Sequence, residues 1–171
     1  VETAECWALA LTTLFTPSVI SLSRQGLPCL RTRHTYENLS AKGGYVLAQT
    51  ESRSDVTLIA SGSEVSLAVE AHEHLELQGI SSAVVSMPCL DLFESQDKNY
   101  QNQVIPSGIP VVVVEAGVKQ SWGSYIGKDG EFVGMKSFGA SAPANKLFEH
   151  FGITTKNVVE AAKRITNNSI L

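Results

Sequence analysis

Short apolar runs alternate with amphipathic stretches along most of this 171-residue chain. The clearest unit is 55–79, in which an apolar run over Val56–Ala60 leads through a small-residue turn into a helical pattern that ends at Gly79. A short β-rich run is typical of a buried strand, and apolar residues every three or four positions are typical of a helix packed on it. A further apolar run follows at 82–85, so the unit predicts a strand, a helix and a second, parallel strand.

The same alternation predicts the remaining elements of an α/β domain. Predicted strands cover Ser18–Ser23, Gly44–Gln49, Pro110–Glu115 and Phe132–Met135, and predicted helices cover Glu2–Phe15, Leu90–Phe93, Lys98–Val104, Val118–Tyr125, Ala144–His150 and Lys156–Ile165. Gly44–Gln49 is close in sequence to Val56–Ala60, which predicts that these two strands are antiparallel neighbours. Asn167–Leu171 are expected to fray. The pattern favours three layers, α/β/α, with a mixed, mostly parallel five-stranded sheet.

The turn after the central strand is one candidate site. Ser61 and Glu64 have the spacing of a capping box, in which each side chain accepts a hydrogen bond from a backbone N–H at the start of a helix. A helix N-terminus of this kind can also hold an anion. The turn has neither a G-x-G-x-x-G pattern nor the lysine of a P-loop. Helix capping is therefore the favoured interpretation, with anion binding as the alternative.

Composition narrows the classes of function. Hydrophobic residues make up 43% of the chain and charged residues 18%, as in an ordinary globular domain. A net charge of −4 disfavours nucleic acid as a partner, and no run reaches the roughly 20 apolar residues that cross a bilayer. Three cysteines without metal-ligand spacing predict reduced thiols and a cytoplasmic protein. The start has no positively charged region and is not a secretory signal. Because it also has no initiator Met and enters a helical pattern at once, we expect the N-terminus to be cut from a longer chain.

Few of the other polar residues, considered one at a time, indicate a binding or catalytic site. Residues 29–42 are polar and predict a linker, whose basic side chains favour a solvated loop over an anion site. Glu115 follows an apolar strand at the end where α/β proteins bind ligands, although a cap on the next segment is the simpler role. Cys89 would need a base to act as a nucleophile, and none is near it in sequence.

Arg24 is the strongest single candidate for a binding residue. It follows the apolar run 18–23 and precedes Gly26 and Pro28, so it lies where the chain leaves a predicted strand. A guanidinium at such a position can bind a phosphate through two hydrogen bonds. An exposed surface arginine is the alternative.

A series of short motifs runs along the chain. The motifs are Leu22–Pro28 (LSRQGLP), Lys42–Leu47 (KGGYVL), Ala60–Val65 (ASGSEV), Val85–Pro88 (VSMP), Phe93 with Gln96-Asp97 and Tyr100, Val114–Gly117 (VEAG), Phe138–Pro143 (FGASAP), and Phe148 through Phe151-Gly152 to Thr154. In this order they resemble the C-terminal third of a transketolase. Each motif is weak alone, but the ordered set runs nearly end to end and is specific.

The resemblance implies an enzyme that transfers a two-carbon ketol group from a ketose phosphate to an aldose phosphate, with thiamine diphosphate and Mg²⁺ or another divalent metal. It implies that residues 1–28 end the middle, pyrimidine-binding domain, that 29–42 are a linker, and that 43–171 form the C-terminal domain. Arg24, in the S-R-Q-x-L-P motif, would bind the substrate phosphate, although Gly26 stands where the family commonly has Asn.

The resemblance carries over no catalytic, cofactor-binding or metal-binding residue to this chain. The chain would bind no cofactor alone and would be inactive alone, serving as a scaffold for the rest of the polypeptide and for a homodimer. Two other interpretations stay open: a stand-alone anion- or nucleotide-binding regulatory module, and the C-terminal domain of a related thiamine enzyme such as dihydroxyacetone synthase.

Overall fold

A computed structural model describes residues 1–51 and 53–168. In that part of the chain one sheet contains five strands, namely β1 (Tyr45–Gln49), β2 (Val56–Ala60), β3 (Ser82–Ser86), β4 (Val111–Val118) and β5 (Glu131–Met135). The strand order is β1-β3-β2-β4-β5, with β1 antiparallel to β3 and every other pair parallel. The predicted mixed, mostly parallel five-stranded sheet is confirmed.

Seven α-helices accompany the strands in the described residues. They are α1 (Glu2–Thr12), α2 (Val65–Glu76), α3 (Leu90–Glu94), α4 (Lys98–Val104), α5 (Gly123–Ile126), α6 (Ala144–Phe151) and α7 (Thr155–Asn168), with 3-10 turns at Leu39–Lys42, Gly62–Glu64 and Lys119–Trp122. Asn167 and Asn168, predicted to fray, are the last residues of α7, and 169–171 lie outside the described residues.

Two apolar clusters lie on opposite faces of the sheet. Leu58 packs with buried side chains of α2 and α7, whereas its neighbour Ile59 packs with those of α3, α4 and α5. Successive strand residues point to opposite faces, and all five residues of β2 are buried. This is the pattern of a parallel strand covered by helices on both sides, so the three layers follow from the apolar runs.

The end of α2 has the geometry that Gly79 predicts. Gly79 has a φ of 76°, its N–H donates to the carbonyl of Glu76 at 3.0 Å, and the N–H of Ile80 donates to the carbonyl of Leu75 at 3.0 Å. These two bonds form a Schellman motif, which satisfies carbonyls at the end of the helix and turns the chain towards β3.

Two strand predictions differ from the structure. The antiparallel neighbour of β1 is β3, because the crossover through α2 places β3 between β1 and β2. Residues 18–23 form no strand, and Val19 is 96% exposed. A strand forms only where another strand can satisfy its backbone groups, and residues 18–23 are not paired in the sheet. The helix predicted over Glu2–Phe15 ends earlier, at Thr12.

Candidate functional site

The carboxyl ends of β2 and β4 border a crevice. From β2 the chain leads through α2 to β3 on one side of the sheet, and from β4 it leads through α5 to β5 on the other side. Such a reversal of direction is where open α/β sheets commonly bind ligands. A cavity of about 460 Å³ lies here, and its lining includes Ser61, Met87, Asp91, Glu115, Ser121 and Trp122.

Ser61 and Glu115 in the lining of the crevice are hydrogen-bonded to each other, and a second serine–glutamate pair lies in the adjacent turn. Ser61 Oγ donates a hydrogen bond of 2.7 Å to Glu115 Oε2, and Ser63 Oγ donates one of 2.6 Å to Glu64 Oε1. Ser61 makes no side-chain capping bond, and the turn begins as a 3-10 helix. The predicted capping box is therefore wrong, because Ser61 bonds a distant carboxylate instead of the local backbone.

The surroundings of Glu115 and Glu64 raise the pKa of both carboxyl groups. Burial raises the pKa of Glu115 above its usual value, the hydrogen bond from Ser61 opposes this, and the nearby Glu64 raises it further. Burial also raises the pKa of Glu64, against hydrogen bonds from Ser63 and the Ala116 backbone. An anion at this turn would face two carboxylates, which disfavours the anion-binding alternative.

The basic residues of 29–42 do not gather into one anion site. Arg31 pairs with Glu5 of α1, and Lys42 Nζ lies 4.1 Å from the ring centroid of Tyr100. The Arg31 side chain is only 9% exposed, so this part of the linker is not a solvated loop. Sequence reasoning missed this role because the carboxylate that binds Arg31 comes from another element.

Arg24 lies on a segment that is open to solvent. Residues 14–28 are exposed except for the half-buried Ile20. Ser23 Oγ donates to the Gln25 carbonyl at 3.4 Å, and Arg24 forms no hydrogen bond or ion pair within the described part of the chain. Its guanidinium is therefore free to bind an external anion, and it lies on a different segment from the residues that line the crevice.

The family of the chain follows from a comparison of sequences. Residues 43–154 match the family model described as the transketolase-like TK C-terminal domain, which is well over half of the chain. The chain belongs to the transketolase family. The transketolase of Sinorhizobium medicae is 50% identical over 95% of this chain and 23% of its own length.

Solved transketolases have the same fold. The Leishmania mexicana enzyme superposes with a TM-score of 0.87 at 39% identity, covering 98% of this chain and 24% of the other. Transketolase from Pichia stipitis, solved in complex with sedoheptulose-7-phosphate, superposes with a TM-score of 0.86 at 36% identity, covering 97% and 24%. The chain thus spans about a quarter of the length of the relatives it matches.

The titratable side chains of the described residues form no cluster of metal ligands. No group of three or more His, Cys, Asp or Glu side chains among them could hold a metal ion. Cys6, Cys29 and Cys89 are free thiols. The described helices include none long and apolar enough to cross a bilayer.

Proposed function

We propose that this chain provides the C-terminal domain and a substrate-phosphate arginine of an enzyme that transfers a two-carbon ketol group between sugar phosphates. The full-length enzyme would use thiamine diphosphate and a divalent metal, both held by residues outside this chain. Family membership supports the reaction, and the sedoheptulose-7-phosphate complex of the Pichia stipitis relative supports the class of substrate. The exposed, unpaired guanidinium of Arg24 is the observation that carries the proposal for this chain.

We propose the domain boundaries that the sequence predicts: 1–28 as the end of the middle domain, 29–42 as a linker and 43–171 as the C-terminal domain. The family match begins at residue 43, which supports the start of the C-terminal domain. The exposure of Trp7 (52%) and Leu11 (74%) supports the placement of α1 in a domain whose other residues lie outside this chain.

The proposed partners are the rest of the same polypeptide and a second copy of it in a homodimer. Exposed apolar side chains are typical of surfaces that meet another body, and Phe15 (98%) and Phe138 (98%) are almost fully exposed. We also propose a cytoplasmic location, which the three free thiols support.

Substitution of Arg24 in the full-length enzyme tests the proposal. A charge-assisted hydrogen bond contributes about 1.5–3 kcal/mol, which corresponds to roughly ten- to a hundredfold in kcat/KM. We expect Arg24→Ala to lower kcat/KM by about this factor for a ketose phosphate donor and to leave hydroxypyruvate, a donor without phosphate, almost unaffected. Arg24→Lys should recover only part of the loss, because an ammonium lacks the planar fork of donors.

Arg33 provides a matched control, since it is another exposed arginine nearby. Arg33→Ala should leave kcat/KM unchanged for both donors. If Arg24→Ala lowers kcat/KM equally for both donors, Arg24 supports the fold or the cofactor site and the phosphate role is wrong.

A further inference from the structure

A part-buried ion pair joins the two stretches of chain that flank the segment carrying Arg24. Glu5 Oε1 of α1 pairs with Nη2 of Arg31, and the side chains are 13% and 9% exposed. Glu5 Oε2 accepts hydrogen bonds from the N–H of Ser40 at 3.2 Å and from its Oγ at 2.8 Å. Asn38 Nδ2 adds a bond of 2.9 Å to the carbonyl of Glu5.

Glu2 extends these contacts to the sheet. Its Oε1 accepts hydrogen bonds from the hydroxyls of Tyr45 at 3.0 Å and Ser86 at 2.6 Å. The guanidinium of Arg31 lies 5.2 Å from the centroid of the Tyr45 ring, a cation–π distance. The polar face of α1 is thus bonded to residues 31–40 and to β1 and β3.

The apolar face of α1 makes no comparable contact with the described residues. Ala4, Trp7, Ala8 and Leu11 are all exposed, and no residue of α1 is fully buried. Most helices in proteins are stabilised by packing of an apolar face, and a helix of this length is marginal without such packing. Within this chain, the position of α1 therefore depends on the polar contacts of Glu2 and Glu5.

We propose that Glu5 and Arg31 are positioning residues, whose ion pair fixes the two ends of the segment that presents Arg24 to a sugar phosphate. The pair joins residues 26 apart, and Arg24 lies between them. The segment 14–28 makes no hydrogen bond to the rest of the described chain, so within this chain it is held in place only at its two ends. This inference rests on the proposed phosphate role of Arg24.

Hydrogen exchange in the 171-residue chain tests the ion pair itself. We expect Glu5→Gln to make amide exchange in residues 2–12 about ten- to a hundredfold faster, the factor that corresponds to one charge-assisted hydrogen bond, with exchange in β2 and β4 unchanged. The control is Glu131→Gln, which removes a carboxylate paired with Arg164 elsewhere on the surface and should leave α1 unchanged. A double variant, Glu5→Gln with Arg31→Gln, should exchange no faster than Glu5→Gln alone.

Kinetics of the full-length enzyme test the positioning. Glu5→Gln should raise KM severalfold for a ketose phosphate, with kcat changed by no more than about twofold. KM and kcat for hydroxypyruvate should be unaffected. The control Glu131→Gln should change neither constant for either donor. Unchanged exchange in α1, or equal effects on the two donors, would overturn the inference.

The proposed function and the inference fail in different ways. If Arg24→Ala discriminates between the donors and Glu5→Gln does not, the phosphate role stands and the positioning role is wrong. If Arg24→Ala itself does not discriminate, the phosphate role is wrong and the positioning role falls with it, even where exchange shows that the ion pair holds α1.

Discussion

Glu115 is a half-buried carboxylate in the carboxyl-terminal half of β4, bonded to Ser61 and close to the buried Glu64. Its raised pKa means that the folded protein binds a proton here more tightly than the unfolded chain. Below its usual pKa of 4.5 the group is neutral in both states, so its charge does not reduce the free energy of unfolding. As the pH rises through the folded-state pKa, the buried charge lowers the free energy of unfolding.

Replacement of this carboxylate by an amide should stabilise the protein at neutral pH. Glu115→Gln removes the charge, while its amide oxygen can still accept the Ser61 hydrogen bond. We expect a higher free energy of unfolding than in the wild type at about pH 7 and no difference at about pH 4, measured by urea denaturation. Glu149→Gln, on the exposed face of α6, should change stability by less than about 0.5 kcal/mol at either pH. A Glu115→Gln variant that is less stable than the wild type at pH 7 would show that the charged carboxylate stabilises the crevice.

The predictions for single residues succeeded where the deciding contact is local. Asp97 directly precedes the predicted helix Lys98–Val104, and its Oδ1 caps that helix by accepting bonds from the N–H groups of Asn99 and Tyr100 at 3.0 Å each. Ser61 was expected to cap its own helix, but its partner Glu115 is 54 residues away. Spacing along the chain cannot reveal a hydrogen bond that exists only after two strands have paired.

At the scale of elements, the 3-10 turn Leu39–Lys42 packs closely against the loop after β3. Gly43 ends this turn with a φ of 79°, and its carbonyl accepts a hydrogen bond of 3.0 Å from the N–H of Cys89. A Cβ at Gly43 would lie 2.3 Å from both the Cys89 carbonyl oxygen and the Phe93 nitrogen. Both contacts are with backbone, which a rotamer change cannot relieve.

Gly43→Ala should therefore be more destabilising than a glycine replacement with backbone strain alone. Gly108 has a similar φ of 81°, but a Cβ there would meet nothing within 4 Å. We expect Gly108→Ala to cost about 1–2 kcal/mol from its left-handed backbone, and Gly43→Ala to cost a further 1–3 kcal/mol or so from overpacking. The measurement is the free energy of unfolding in urea. Equal losses at the two positions would mean that the turn can move away from Cys89 without cost.

Apolar periodicity predicted the elements of the C-terminal domain well, because each one buries its apolar face inside this chain. Periodicity on α1 was equally clear, yet Trp7 and Leu11 point to solvent and the opposite face is held by Glu2 and Glu5. A pattern tells which face of a helix is apolar, but not whether the surface that covers it belongs to the same chain. The same limit applies to residues 18–23, which are apolar but have no neighbouring strand.

At the scale of the whole molecule, this chain combines a complete sheet with an anchored N-terminal segment. The core of the C-terminal domain is closed on both faces of the sheet by helices from residues 65–168. The segment 1–28 adds exposed apolar side chains and the free arginine. Under the proposed function, residues 43–168 supply the folded core and the segment before them would contact the substrate.

The isolated chain should consequently neither bind thiamine diphosphate nor transfer ketol groups. Among the described residues there is no group of three or more His, Cys, Asp or Glu side chains that could hold the divalent metal, and Glu115 in the lining of the crevice would repel a diphosphate when ionised. Calorimetric titration of the chain with thiamine diphosphate and Mg²⁺ should give only heats of dilution. The full-length enzyme, titrated under the same conditions, is the positive control. Stoichiometric binding to the isolated chain would contradict the proposal that residues outside this chain hold the cofactor. If Glu115→Gln then abolished that binding, the cofactor would lie in the crevice.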